Sequence, residues 1–599
     1  MRARPGVPCG VQVVDEVRGG TIECDVAIIG GGPGGSTCGA LLKKYAPSLR
    51  VVIFEKERFP RDHIGESQLP PISAVLDEMG CWDKVEAANF PIKVGATFKW
   101  GSRGELWDFE FLPLKDFKNE PRPAKFVGQR RQTAFQVDRA IYDDILLRHA
   151  ESLGCEVHEQ TQVRRVEHEG DRVTGLTLAD GRRVEARHYV DSSGHVGVMR
   201  RALGIPVQAP TALQNIAIWD YWENAEWAVH IGVGGTRIQV VSVGFGWIWF
   251  IPLGPTRTSV GLVCPAKFYK ESGRTARQLY DEALSREDRL RGLLANATAR
   301  GRLETTSDWS FVADRTVGEN WMLVGEAAGF ADPILSAGLT LTHTGAREAA
   351  YTIIALDAGE HNADWLRDQY DHNQRARVRQ HIRFADFWYA ANAQFTDLQA
   401  HCAEIARESG LRLTPQAAWR WLAQGGFSND FIGQVGIGGY DLTAAKQLLQ
   451  MFTQRNASWQ LNEVNVLRLN LTGAERQPIA LYQDGRIEAI DCYIKGHLRL
   501  PVADMHARLI RMLGTTSNVG EIFTSLEREF AATLPPPHRR VAMQHAMQTL
   551  EVMLNDGWVI GKLDKRKPRL SLETPEEGDI IHSHDQPRPR AGSSPAAAG

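Results

Sequence analysis

The sequence predicts an α/β protein whose N-terminal part is organised around a parallel sheet, and three observations carry that expectation. From Glu23 an apolar strand (ECDVAIIG), a glycine turn (GGPGG), a helix (STCGALLKKYAP) and a second apolar strand (LRVVIFEK) follow one another at the length of a βαβ unit. Strand-like pieces punctuated by glycines and charges, among them VGATFKW, RIQVVSVGF and TSVGLVC, then run to about residue 345. From GLTLTHTGAREAAYTIIAL onward the pattern turns helical, to about residue 455.

Bulk properties narrow the function classes. The chain has 599 residues, enough for several domains, with 43% hydrophobic and 24% charged residues, an ordinary soluble composition. A net charge of −3 favours neither nucleic acid nor an anionic membrane as partner. No apolar run reaches the ~18 residues of a spanning helix. The first twenty residues lack the apolar segment of a signal peptide, so a cytoplasmic location is expected. Eight cysteines, with no C-x-x-C pair or Cys/His cluster, read as reduced thiols, and no metal site is expected. The expected division is a loose leader at 1–22, a core at 23–390, a mainly helical C-terminal domain at 391–575 and a disordered Pro/Ser/Ala-rich tail at 576–599.

Within the first unit, Gly30, Gly32 and Gly35 form G-x-G-x-x-G between strand and helix. Such glycines permit a tight turn and the approach of a pyrophosphate to a helix N-terminus. Glu55, at the end of the next strand, is placed for ribose hydroxyls. A dinucleotide is therefore expected. Far downstream, Asn320–Pro333 (NWMLVGEAAGFADP) resembles the second FAD signature of para-hydroxybenzoate-hydroxylase-like flavoproteins, with Glu326 where an Asp is usual. That resemblance implies FAD in a Rossmann-type domain. It also implies close backbone approach at Gly325, a helix led in by Asp332, Arg139 (in FQVDRAIYDDIL) near the cofactor, and Glu66 and Ser67 lining the flavin site. Taken alone, Arg139 would read as a surface salt bridge.

Hydroxylases, reductases and halogenases share those motifs. The stretch GWIWFIP separates them. On a strand, Trp247, Trp249 and Ile251 share one face while Ile248 and Phe250 share the other. By itself this reads as a heavy core strand. Over residues 24–390, however, the chain resembles the flavin-dependent halogenases, whose W-x-W-x-I-P signature is met by Trp247, Trp249, Ile251 and Pro252. In that family these tryptophans stand between isoalloxazine and substrate. The resemblance implies that chloride or bromide attacks a flavin hydroperoxide formed from FADH2 and O2, and that hypohalous acid travels to a distant substrate. It further implies that Lys93, in IKVGATF, is the catalytic lysine, which calls for partial desolvation. Spacing alone would serve Lys99 equally well. Ser336, Ala337 and Gly338 are implied as the halide site, with Leu339 beside the cofactor. Leu335 stands where tryptophan halogenases carry a glutamate, which points to the phenol, pyrrole and aliphatic branch. Asp308, in SDWSF, reads either as a neighbour of the flavin's dimethylbenzene edge or as a strand-end cap or salt bridge.

The last unit contains three helix-like stretches, DMHARLIRML, VGEIFTSLEREF and MQHAMQTLEVMLNDG, then an expected hairpin, WVIGKLDKRKPRLSL. A winged-helix shape is one reading. Pocket closure or docking of a carrier or peptide is favoured over DNA binding, because acidic residues surround the basic run. The expected function is an FADH2-dependent halogenase of a natural-product intermediate. Its partners would be a separate NAD(P)H-flavin reductase and a small-molecule substrate, free or tethered to a carrier protein. The alternatives are an FAD monooxygenase that hydroxylates, and a flavin-bearing regulator without catalysis.

Overall fold

The computed structural model describes residues 20–100, 106–110, 117, 121–124, 133–209, 214–391, 459–496, 498–534, 536–567 and 569–570. Most of the expected leader, the helical stretch expected over 392–455 and the expected tail lie outside the described residues.

The βαβ unit forms at Thr21–Ile29, Pro33–Tyr45 and Val51–Phe54. Val26, Ala27 and Ile28 are wholly buried, as a parallel strand covered on both faces requires. Thr21–Ile29 pairs in parallel with Val51–Phe54 on one side and Arg183–Asp191 on the other. This seven-stranded sheet also holds Glu156–His158, Val163–Glu169, Arg172–Leu178 and Trp321–Leu323. Gly30 turns the chain at φ 99°, and a Cβ there or at Gly35 would collide with backbone oxygens of Ser192 or Gly30. Pro33 then opens the helix at a position where its missing N–H costs nothing.

A second sheet of nine strands carries the candidate chemistry. Its main order is Thr298–Ala299, Gln214–Glu223, Arg257–Pro265, Trp247–Pro252, Gly235–Ser242, Ile92–Lys99, Leu106–Glu110, with Glu304–Trp309 and Ala134–Phe135 attached. One face is covered by the helices Ala276–Ser285 and Asp288–Leu293, whose Leu279, Leu284 and Leu290 pack on Val241, Ile248, Phe250, Val260 and Leu262. The opposite face carries Trp247, Trp249 and Ile251.

Ile92–Lys99 contains a β-bulge. Lys93 lies opposite Thr236 and Gly95 opposite Arg237, so Val94 is an extra residue on this strand. Strict alternation would put Lys93 on the same face as Thr97 and Lys99. The bulge turns it to the other face, the re-aiming that such insertions produce. Lys99 accordingly reaches Glu287 at 2.7 Å on the helix-covered side, and Lys93 reaches Ser336 on the tryptophan side.

The helix Ala337–Ala358 packs along Pro33–Tyr45, and buried His343 bridges Thr37 (2.9 Å) and Tyr142 (2.8 Å). Its neighbour Ala363–Ala391 runs as one long helix. In the C-terminal part, helices Asp504–Thr515, Val519–Thr533 and Pro536–Asn555 enclose a separate apolar cluster. The hairpin expected at WVIGKLDKRKPRLSL is not formed among the described residues. Val559–Lys562 pairs instead with Val466–Leu469, nearly a hundred residues earlier, so the wing of a winged-helix is not seen there. Asn465 fixes the basic loop, donating to the carbonyls of Asp564 and Lys567. An unforeseen hairpin, Glu475–Gln483 with Arg486–Lys495, lies against the core through Tyr482 and Ile487, which pack on Tyr351, Ala355 and Leu366.

Candidate active site

The glycine turn presents a helix N-terminus. A Cβ at Gly32 would meet only the Arg61 guanidinium, at 3.4 Å, so the space over this residue is otherwise open. Glu55 is buried at the strand end, accepting from the N–H groups of Gly31 (2.7 Å) and Glu57 (2.9 Å). Arg139 is not a surface residue. It is 6% exposed, forms a bidentate pair with Asp143 (2.7 and 2.9 Å), and donates to the carbonyls of Ile64 and Gly65, fixing the loop that leads into Glu66 and Ser67. Gly325 turns the chain at φ 62°. Burial raises the Glu326 carboxyl above its ordinary pKa, against the influence of nearby His195 and Arg139.

Lys93 and the Ser336 segment, 243 residues apart in sequence, meet: Nζ donates to Ser336 Oγ at 3.3 Å. Lys93 is 2% exposed, and burial pushes its pKa down to about 7. Ser336 adopts φ 57° and precedes Ala337, the first residue of the long helix, with Gly338 and Leu339 in its first turn.

The two indoles are anchored by residues that sequence reasoning missed. The Trp247 and Trp249 rings lie 6.0 Å apart, tilted by 56°. Trp247 Nε1 donates to Tyr389 Oη at 2.7 Å, and Tyr389 donates to Asp332 Oδ1 at 3.2 Å. Asn215 donates to both Asp332 (3.2 Å) and Tyr389 (3.3 Å). Trp249 Nε1 donates to Ser259 Oγ at 3.1 Å, and the Ser259 and Tyr221 hydroxyls lie near the Glu66 carboxyl and favour its charged form. Trp247 thus leads through the Tyr389 hydroxyl to the buried Asp332 carboxyl, and Trp249 to the Ser259 hydroxyl. Burial raises Glu66 to about 7 despite those neighbouring hydroxyls, and it raises Asp332 as well, with nearby Asp386 adding to the effect. The only sequence signal for Tyr389 was the aromatic spacing of HIRFADFWYAANAQF. Asn215, Tyr221 and Ser259 gave none. Asp308 lies opposite Asn215 in the strand register.

The sequence profile described as tryptophan halogenase matches residues 25–121 and 113–405. The chain belongs to the flavin-dependent halogenase family. It is 33% identical to tryptophan 2-halogenase of Chondromyces crocatus over 56% of this chain, and spans 62% of that protein's length. It is 32% identical to 1H-pyrrole-2-carbonyl-[peptidyl-carrier protein] chlorinase of Pseudomonas fluorescens, covering 62% of this chain and 85% of that one. Among solved structures, the flavin-dependent halogenase CmlS superposes at TM-score 0.68 over 92% of this chain and 98% of its own, a likeness of fold at 24% identity. The myxobacterial chondrochloren halogenase CndH superposes at 0.56 with 28% identity, over 72% of this chain and 97% of its own.

FAD is the cofactor of this halogenase family, and the residues present fit it. The open glycine turn suits a diphosphate. Glu66 Oε2, Ser67 Oγ and Thr340 Oγ1 are buried without hydrogen-bond partners, as polar atoms awaiting a polar ligand would be. Among the described residues, no His/Cys/Asp/Glu cluster could hold a metal, and no helix is long and apolar enough to cross a membrane.

Proposed function

We propose that this protein uses reduced FAD, O2 and a halide ion to halogenate an electron-rich small molecule, with Lys93 delivering the halogen. The observation that carries this reading is the meeting of Lys93 Nζ with Ser336 at 3.3 Å, on the sheet face that also bears Trp247 and Trp249. When bound, reduced FAD supplies, with O2, the oxidation of halide to hypohalous acid.

The Gly30–Gly35 turn and its helix hold the diphosphate, and Glu55 holds the ribose hydroxyls. Glu66, Ser67, Arg139, Gly325 and Leu339 border the flavin, and Asp332 acts through the turn it caps, accepting the Ile334 N–H at 2.9 Å. Backbone N–H groups of Ala337 and Gly338, at a helix start, hold the halide beside Ser336. Trp247, Trp249, Ile251 and Pro252 keep the substrate from the flavin. With a pKa of about 7, Lys93 is present both as ammonium and as amine near neutral pH. The ammonium donates a hydrogen bond to hypohalous acid. The amine can attack the halogen, forming an N–halogen bond and releasing water.

Reduced flavin comes from a separate NAD(P)H-flavin reductase. The substrate is a phenol, pyrrole or aliphatic natural-product intermediate rather than free tryptophan, for which Leu335 is the support. The Pseudomonas chlorinase, named for a carrier-bound pyrrole, supports a carrier-tethered form. The test supplies reduced FAD, O2 and either chloride or bromide, with free tryptophan, a phenol and a carrier-bound pyrrole thioester as candidate substrates. A product whose added mass changes from that of chlorine to that of bromine with the salt is expected. Gain of oxygen in both salts would make the protein a hydroxylase, and absence of product from every substrate would favour a regulator.

A further inference from the structure

The anchoring of the wall has a second end. Tyr389 Oη has one proton and two acceptor sites, the Trp247 indole can only donate, and the Asn215 amide donates too. Of these three partners only Asp332 Oδ1, at 3.2 Å, can accept the phenolic proton. The same oxygen accepts the Ile334 N–H at 2.9 Å, capping the turn Pro333–Leu335. That turn ends in Ser336, the residue Lys93 contacts. The phenol ring is held independently, edge-on to Trp100 with centroids 6.1 Å apart.

Resting on the function proposed above, we propose that Tyr389 is a positioning residue that ties the tryptophan wall to the halide turn, so that the two move as one unit. Rotation of the Trp247 indole would pull the phenol from Asp332, and a shift of the turn would release the indole. The wall then closes only when the turn is in the geometry that seats Ser336 against Lys93. Asp332 and Asn215 complete the unit. None of these three side chains acts on the halogen itself.

Tyr389→Phe keeps the ring and removes only the bridging hydroxyl. The first measurement needs no turnover: bromide quenching of Trp247 fluorescence in the FAD-free protein. Because the chain has 16 tryptophans, it is taken as the difference between proteins with and without Trp247→Phe, each with and without Tyr389→Phe. Loss of one buried hydrogen bond shifts such an equilibrium roughly three- to tenfold, so the Trp247 quenching constant should rise by about threefold or more. An unchanged constant overturns the proposal, whatever the enzyme's activity. The second measurement, with FAD and substrate, is halogenated product formed per flavin oxidised. That ratio should fall by about tenfold, with hypohalite appearing in a diketone trap, and adding Trp247→Phe should lower it little further, because coupled residues are not additive. Independent losses that multiply would overturn the proposal. A wild-type protein that halogenates nothing would instead defeat the functional reading, and the quenching experiment would still decide the linkage.

Discussion

Lys93 and Lys99, six positions apart on one strand, are accommodated in opposite ways on the two faces of the nine-stranded sheet. On the helix-covered face, Lys99 pairs with Glu287 at 2.7 Å, while buried Arg237 pairs with Asp108 at 2.8 Å and Thr97 donates to the same carboxylate at 2.7 Å. These charges are matched to opposite charges, Arg237 and Asp108 joining strands of the sheet and Lys99 joining the sheet to Glu287, which precedes the helix Asp288–Leu293. On the tryptophan face, burial shifts the groups themselves, bringing Lys93 and Glu66 both to about 7. Matched charges make a face rigid. Groups held near neutrality can exchange protons at working pH, as general acids, bases and nucleophiles must.

The comparison can be broken on either side. The largest effect is expected from Arg237→Met, which takes the guanidinium from the buried Asp108 carboxylate and should cost about 3–5 kcal/mol of stability in urea unfolding. Product formed per flavin oxidised should stay the same in the protein that remains folded. Lys93→Ala should do the reverse. Product formation should fall about a hundredfold or more while flavin oxidation continues, since what is lost is a positioned electrostatic contact. Undiminished halogenation would remove Lys93 from the chemistry, and loss of flavin oxidation would move its role to the cofactor.

A third expectation concerns pH. Between about 7 and the ordinary 10.5, the unfolded chain carries the Lys93 proton and the folded protein does not. Stability should therefore rise with pH across that window, by up to about 1.4 kcal/mol per pH unit. Lys93→Met should remove roughly 2 kcal/mol of the difference between pH ~7 and ~9, read from urea midpoints at the two values. An unaltered slope would mean that Lys93 is protonated in the folded state. The smallest effect belongs to Lys99→Met. Its partly exposed pair should contribute about 1 kcal/mol or less, and turnover should stay within about twofold. A larger fall in turnover would erase the distinction between the two lysines.

What the sequence revealed follows the range of the interactions involved. Gly30, Gly32, Gly35 and Glu55 were legible because a βαβ turn is built from neighbouring residues. Trp247 and Trp249 were legible as a strand, and their proposed role as a wall comes only through family resemblance. Lys93 could not be told from Lys99 by spacing because alternation of period two is the rule that the Val94 bulge breaks. Tyr389, Asn215 and Ser259 join the site through contacts between separate strands and helices, which no local pattern encodes. The long-range partner of the last strand was not foreseen for the same reason. A Lys-Arg-Lys-Pro run looks like a turn between paired strands, yet Val559–Lys562 finds its partner in Val466–Leu469.

The hairpin Glu475–Lys495 bears on how small a working catalyst could be made. It covers Tyr351, Ala355 and Leu366, receives the Arg347 guanidinium on the Tyr482 carbonyl at 2.9 Å, and sets Gly485 against the Tyr45 ring. A protein shortened to the region shared with the family profile would keep every residue of the candidate site and still expose this aromatic surface to water. Such a surface promotes aggregation during production. A compact version intended for industrial use should therefore retain the hairpin on a short linker, or carry polar replacements at the positions it shields.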